Sequence, residues 1–243
     1  MFTLMKLPKG WRGVFPAISL AASFAVIAPA IEAAQSNTAA RAARPAKADP
    51  PAKPEDAYEI EFKEYRLKNG LRVLLAEDHR APTYSICVTY NVGSRDEKPG
   101  RTGSAHLFEH MLFQGSENVG KGEHFILVDM NGGSMNGTTN QDRTNYFQAL
   151  PANQLDLGLF LEADRMKSLV INQANLDNQR NAVQEERRLG VDNAPYGKTF
   201  ETILDTAYDN FAYKHATIGS MADLNAAEVK DVADFFRTYY APN

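Results

Sequence analysis

The chain has 243 residues, 26 basic and 30 acidic side chains, and a formal net charge of −4. That balance lacks the basic footprint of a nucleic-acid binder, and a single cysteine excludes any disulfide within the chain. There is no G-x-x-x-x-G-K-[ST] phosphate loop and no internal repeat, which excludes nucleotide hydrolases of that type and repeat solenoids.

The N-terminus reads as a secretory signal peptide over residues 1–34. Lys6, Lys9 and Arg12 precede any acid, and Val14 to Pro29 is largely apolar. Small residues follow, with Ala28-Pro29-Ala30 or Ala33-Ala34 as the cleavage site. The apolar run is too short for a membrane span, and no cysteine lies near the cleavage region to carry a lipid. Residues 35–57, rich in Ala, Pro and Lys, read as a flexible tether, because such a composition cannot bury a core. Export without disulfides fits a bacterial periplasmic or secreted protein. About 185 residues remain from residue 58 onward, enough for one core.

Tyr65 to Glu77 predicts a hairpin around the Asn69-Gly70 turn. Tyr84 to Val92 predicts a strand with Ile86, Val88, Tyr90 and Val92 on one face, and Cys87 is expected there as a buried small hydrophobe. A helix is expected from about Ser104 to Phe113. Gly133 to Thr139 is small and polar for a strand, and Thr144 to Leu150 is a stronger one. Helices follow at about 154–169, 176–189, 199–212 and 226–240. In the third, Phe200, Ile203, Leu204, Ala207, Tyr208 and Phe211 keep the 3.6-residue period. In the last, Val229, Val232, Phe236 and Tyr239 or Tyr240 do the same. Strands first and helices afterwards argue an α+β fold.

The helix at 104–113 contains His106-Leu107-Phe108-Glu109-His110. This H-x-x-E-H order reverses the commoner zinc-protease order H-E-x-x-H. Helical residues four apart share a face, so two imidazoles can address one metal ion. Glu109 sits beside them, within reach of a water on that ion. A zinc enzyme needs two neutral nitrogen ligands, a third ligand and a base near the open position. The plain alternative is two solvated histidines on a polar helix. His79, His124 and His215 have no paired spacing and are expected on the surface.

A third ligand must come from distant sequence, and the best candidate lies in the helix-forming run Leu176 to Arg188. Glu186 shares a face with Gln179, Ala182 and Val183, the least charged face, and is expected to point inward. Glu185 shares a face with Asn178, Asn181 and Arg188, which reads as solvated. An inward carboxylate needs a partner, and a metal ion would be one. An ordinary Glu-Arg surface helix is the competing reading of this run alone.

With these residues in view, the chain resembles the N-terminal part of an M16-family zinc peptidase, the pitrilysin/insulinase group. The distal Glu follows the second His by 76 residues, about the family's gap. Ordered matches run from about Tyr65 to Asn243. They include Leu67-Lys68-Asn69-Gly70-Leu71, Gly93-Ser94-Arg95-Asp96-Glu97 and Thr102-Gly103-Ser104-Ala105. Further on come Gly132-Gly133-Ser134-Met135-Asn136-Gly137, Thr144-Asn145-Tyr146, Pro195-Tyr196-Gly197 and Tyr239-Tyr240-Ala241-Pro242.

The resemblance implies a mixed β-sheet covered by helices. It implies one Zn2+ per chain, held by His106, His110 and Glu186, with Glu109 as general base in peptide hydrolysis. Gln179 stands where many relatives carry a second Glu that supports the metal site. The resemblance also implies that the strand holding Ser134, Met135, Asn136, Gly137 and Thr138 pairs with a peptide substrate along its edge. Residues 58–243 would then be an incomplete M16-like domain, with a second such domain or chain completing the chamber. The competing function is a non-catalytic scaffold or substrate-holding half of a two-subunit assembly.

Overall fold

The computed structural model describes residues 60–242. The expected signal peptide and tether lie outside the described residues. A first hairpin pairs β1 (Lys63–Arg66) with β2 (Arg72–Leu75), in register from Lys63↔Leu75 to Arg66↔Arg72. Its turn depends on Gly70, whose φ of 95° is the left-handed region that glycine enters without steric cost.

The main sheet has three antiparallel strands in the order β3-β5-β4: β3 (Thr83–Tyr90), β4 (Ser134–Thr139) and β5 (Thr144–Pro151). β5 is central, and Thr144, Tyr146, Gln148 and Leu150 all turn into the core from it. β3 alternates as the sequence suggests, with Tyr90 buried at its end. The same alternation puts Cys87 on the outer face, where it is exposed, so the expected buried thiol is corrected.

Eight α-helices complete the described residues: α1 (Ser104–Met111), α2 (Glu123–Met130), α3 (Leu155–Lys167), α4 (Gln173–Arg187), α5 (Thr199–Ala207), α6 (Phe211–Lys214), α7 (Met221–Ala226) and α8 (Val229–Tyr239). The chain is α+β, with helices packed on a small antiparallel sheet. α2 and α7 have no counterpart in the sequence reading. α2 is apolar nearly all round and shows no helical period, and α7 is only six residues long. The helix expected at 199–212 is two, because the chain turns extended at Tyr208 before Asn210 caps α6. α4 continues into a π-helical turn at Arg188–Asp192.

The main core gathers Val92, Leu107, Phe108, Met111, Leu112, Tyr146, Leu176, Val183 and Leu224. α1 therefore lies at the centre, between β5, α4 and α8. Phe108 is its aromatic anchor, with its ring centroid 4.3 Å from that of Tyr240 and 5.4 Å from that of Phe235. Burying a Phe side chain contributes about 1.5–3 kcal/mol, so the helix carrying H-x-x-E-H is held by its apolar face. A second cluster, Val119, Val128, Leu150 and Leu161, joins α2 and α3 to β5. The apolar stripe of α5 is not core: Phe200 and Ile203 are more than half exposed, and only Leu204 is buried.

Candidate metal centre

His106 and His110 lie one turn apart on α1, their ring centroids 4.8 Å apart and nearly perpendicular. α4 crosses α1 so that Glu186 Oε2 sits 3.7 Å from His106 Nε2 and 3.5 Å from His110 Nε2. All three donor atoms fall within 4.8 Å of one another. Ligands about 2.0–2.2 Å from one tetrahedral ion are separated by roughly 3.3–3.6 Å. The two Glu186–imidazole distances lie close to that value, and the donor types, two imidazole nitrogens and a carboxylate oxygen, are those a zinc ion takes. Glu185, the neighbouring acid, turns away and ion-pairs with Arg188 at 3.0 Å.

Glu186 points inward to the two imidazoles as expected, and its side chain is still half exposed. It stands at the mouth of the cluster, where a ligand with an accessible side must stand. The next residue, Arg187, is buried and fixes the end of α4 by bonding Glu201 and the carbonyl of Gly219.

The electrostatics suit neutral nitrogen donors. Burial, reinforced by His110, pushes His106 down to about 4, so its imidazole is neutral at pH 7. Burial also works against charge on His110, but Glu186, Gln179 and Glu109 outweigh it and raise its proton affinity. His110 Nδ1 donates to Gln179 Oε1 at 3.2 Å, which selects the tautomer whose Nε2 lone pair faces Glu186. Hydrogen bonding to His110 holds the Glu186 carboxyl below its usual range, against the effect of burial. The Nδ1 of His106 is buried without a partner.

Glu109 points to the β4 side of α1. Burial raises its proton affinity, partly offset by Thr139 and His110 and reinforced by Glu186. Its Oε2 accepts the Thr139 hydroxyl at 2.5 Å. Its other oxygen lies where a side chain on residue 137 would be, since a Cβ on Gly137 would meet Glu109 Oε1 at 3.1 Å. Gly137 thus lets the carboxylate lie directly against β4.

The five expected substrate residues, Ser134 to Thr138, all fall on β4, which among the described residues pairs only with β5. They are not equally free. Arg143 and Asn145 bond the Thr138 side chain, and Arg143 also donates to its carbonyl at 3.1 Å. Ser134 and Asn136 are exposed and Gly137 is buried against Glu109.

Three residues in and around this site were given no role in the sequence. Thr139 shares a strand face with Gly137 by simple alternation, a signal the sequence did carry. Glu97 and His215 are 118 residues apart, and nothing in the sequence paired them. The Glu97 carboxylate is fully buried and accepts the N–H groups of Gly103 and Ala105, at 3.0 and 2.8 Å, at the start of α1. His215 Nε2 lies 2.8 Å from Glu97 Oε2, and its Nδ1 bonds the Phe211 carbonyl. His215 is therefore no surface residue. Neither is His124, which is 5% exposed and pushed by burial down to about 4. His79 is exposed as expected.

The sequence model of the family described as Insulinase (Peptidase family M16) matches residues 72–220. The chain is similar to the zinc protease PqqE of Helicobacter pylori, with 36% identity over 177 residues, 72% of this chain and 40% of that protein. It is also similar to an insulin-degrading enzyme homolog of Dictyostelium discoideum, with 27% identity over 75% of this chain and 19% of that protein. Among solved structures, a protease from Helicobacter pylori superposes with a TM-score of 0.74 at 35% identity, over 76% of this chain and 45% of that one. The chain thus spans less than half the length of each of these relatives.

Proposed function

Because the chain belongs to the M16 (insulinase) peptidase family, we propose that it is the metal-holding portion of a zinc endopeptidase that cleaves short or unfolded peptides. The observation that carries this reading is the convergence of His106, His110 and Glu186 within 4.8 Å, beside a Glu109 seated against β4. In the proposal these three residues hold the ion. Bound there, zinc would bring the pKa of its water to about 7 and polarise a peptide carbonyl. Glu109 takes the proton of the attacking water on its carboxylate and passes it to the leaving amine. Its raised proton affinity suits both halves of that transfer. Thr139 fixes one carboxylate oxygen so that the other remains for the proton. The open edge of β4, over Ser134 to Thr138, receives the substrate backbone as an added strand. Gln179 orients His110 from behind.

A second M16-like domain or chain completing the chamber belongs to the same proposal, supported by the 40% of the Helicobacter pylori relative that this chain spans. The export pattern of residues 1–34 supports a periplasmic or secreted location, with residues 35–57 as a tether and residues 58–243 as the M16-like peptidase domain.

Elemental analysis of purified residues 35–243, alongside Glu186→Gln and Glu109→Gln, tests the reading. Near-stoichiometric zinc that falls in Glu186→Gln, and is kept in Glu109→Gln, is the expected result. A folded chain that takes up no zinc would refute it.

A further inference from the structure

The metal centre leaves an apolar surface unused beside the β4 edge. On α2, Phe125, Ile126, Asp129 and Met130 occupy positions i, i+1, i+4 and i+5 and share one face. The three apolar members are 44%, 55% and 79% exposed. The opposite face of the same helix buries His124 and Val128, so the exposure belongs to a well-seated helix. Between this outward face and the start of β4 lies a cleft of about 430 Å³, walled by Phe125, Ile126 and Asp129 and floored by Ser134 and Met135. Phe113, three residues past His110, packs on Phe125 with ring centroids 4.7 Å apart. The apolar wall is therefore continuous from the ligand helix to the cleft.

Two features determine the occupant. Along the cleft, β4 presents backbone donors and acceptors on the side away from β5, and these call for a partner of backbone type. The helix face calls for apolar side chains. An extended peptide meets both demands at once, since its backbone adds to β4 and its alternate side chains turn toward α2. Asp129 on the wall repels an acidic side chain. The register follows from the strand period. Gly137, against Glu109, and Met135, at the cleft, are two residues apart on one face. A side chain about two positions along the peptide from the reacting bond therefore reaches the cleft.

Resting on the peptidase reading of β4, we propose that this cleft is a subsite for a large apolar side chain, aromatic or branched aliphatic, on the Ser134 side of the scissile bond. Met135, Phe125 and Ile126 hold that side chain, and Asp129 selects against Asp and Glu.

The test is binding of fluorescein-labelled alanine decapeptides to the full chain carrying Glu109→Gln, so that nothing is cleaved. One Phe, or one Asp, is moved through the peptide position by position. At one register Phe should bind on the order of tenfold tighter than Ala, and Asp should bind more weakly than Ala. Adding Ile126→Asp should bring the Phe-to-Ala ratio close to one, with zinc content unchanged. Ile126→Ala, which changes no charge, should lower the ratio by less. No preference for Phe at any register, or a ratio indifferent to Ile126→Asp, overturns the subsite. Zinc content, measured on the same samples, separates the two readings. Zinc present without the Phe preference removes the subsite and leaves the peptidase. The preference without zinc leaves the subsite and removes the metal.

Discussion

The hydroxyl of Thr139, at the end of β4, donates to Glu109 Oε2 on α1 at 2.5 Å. This one bond ties the strand proposed to receive substrate to the carboxylate proposed to move the proton. Gly137, on the same face of β4, leaves the space that Glu109 occupies. The base is thus oriented by the strand that would align the peptide.

Thr139→Val keeps the side-chain shape and removes the donor. In an active assembly, kcat should fall roughly tenfold to a hundredfold, the range found for partners that orient active groups, with KM little changed. Thr139→Ser should restore the rate. Steady-state kinetics on the three proteins decide it, and an unaltered kcat in the Val variant would remove Thr139 from the machinery.

Among the described residues, Gln179 is the only side chain bonded to His110 Nδ1. Gln179→Ala should weaken zinc binding by roughly tenfold to a hundredfold without changing the three ligands. Competition with a chelator of known affinity measures this. Equal affinity would mean that the helix alone orients the ring.

The Glu97–His215 pair predicts a pH dependence of stability. Burial opposes charge on His215, but Glu97 and the Phe211 carbonyl outweigh it, so its folded pKa lies above the unfolded value of about 6.5. A raised folded pKa means extra protons bound in the native state. The stabilisation is therefore complete below pH ~6.5 and is lost as pH rises through the folded value. Burial raises Glu97 as well, which gives the same sign. His215→Gln should cost on the order of 2 kcal/mol at pH 6, and the gap to wild type should narrow at pH 9. Denaturant unfolding at the two pH values measures it, and a gap independent of pH would show that His215 does not act through its charge.

Cys87 lies on the outer face of β3 and is exposed. A thiol reagent should label it in the native chain at a rate close to that in denaturant. Protection that only unfolding removes would show this face of β3 to be covered.

Much of the framework was legible in the chain because it depends on local periodicity. The Asn69-Gly70 turn, the alternation of β3 and the helical run holding the H-x-x-E-H residues each follow from neighbours a few positions apart. α2 was not legible, since a helix with apolar residues on nearly every side has no period to read. The stripe of α5 was legible as a stripe, yet it is half exposed, because periodicity says which residues share a face and not what covers that face.

The sequence by itself determined that His106 and His110 share a face, because the helix pitch places residues four apart one above the other. Only the tertiary structure decided what meets that face. The crossing of α1 and α4 brings Glu186, not Glu185, to the imidazoles. The packing of α1 against β4 brings Thr139 to Glu109, and the fold of the later helices carries His215 to Glu97 across 118 residues. Contacts of that range are set by how apolar faces bury one another, and a buried carboxylate keeps only the partners that this burial delivers.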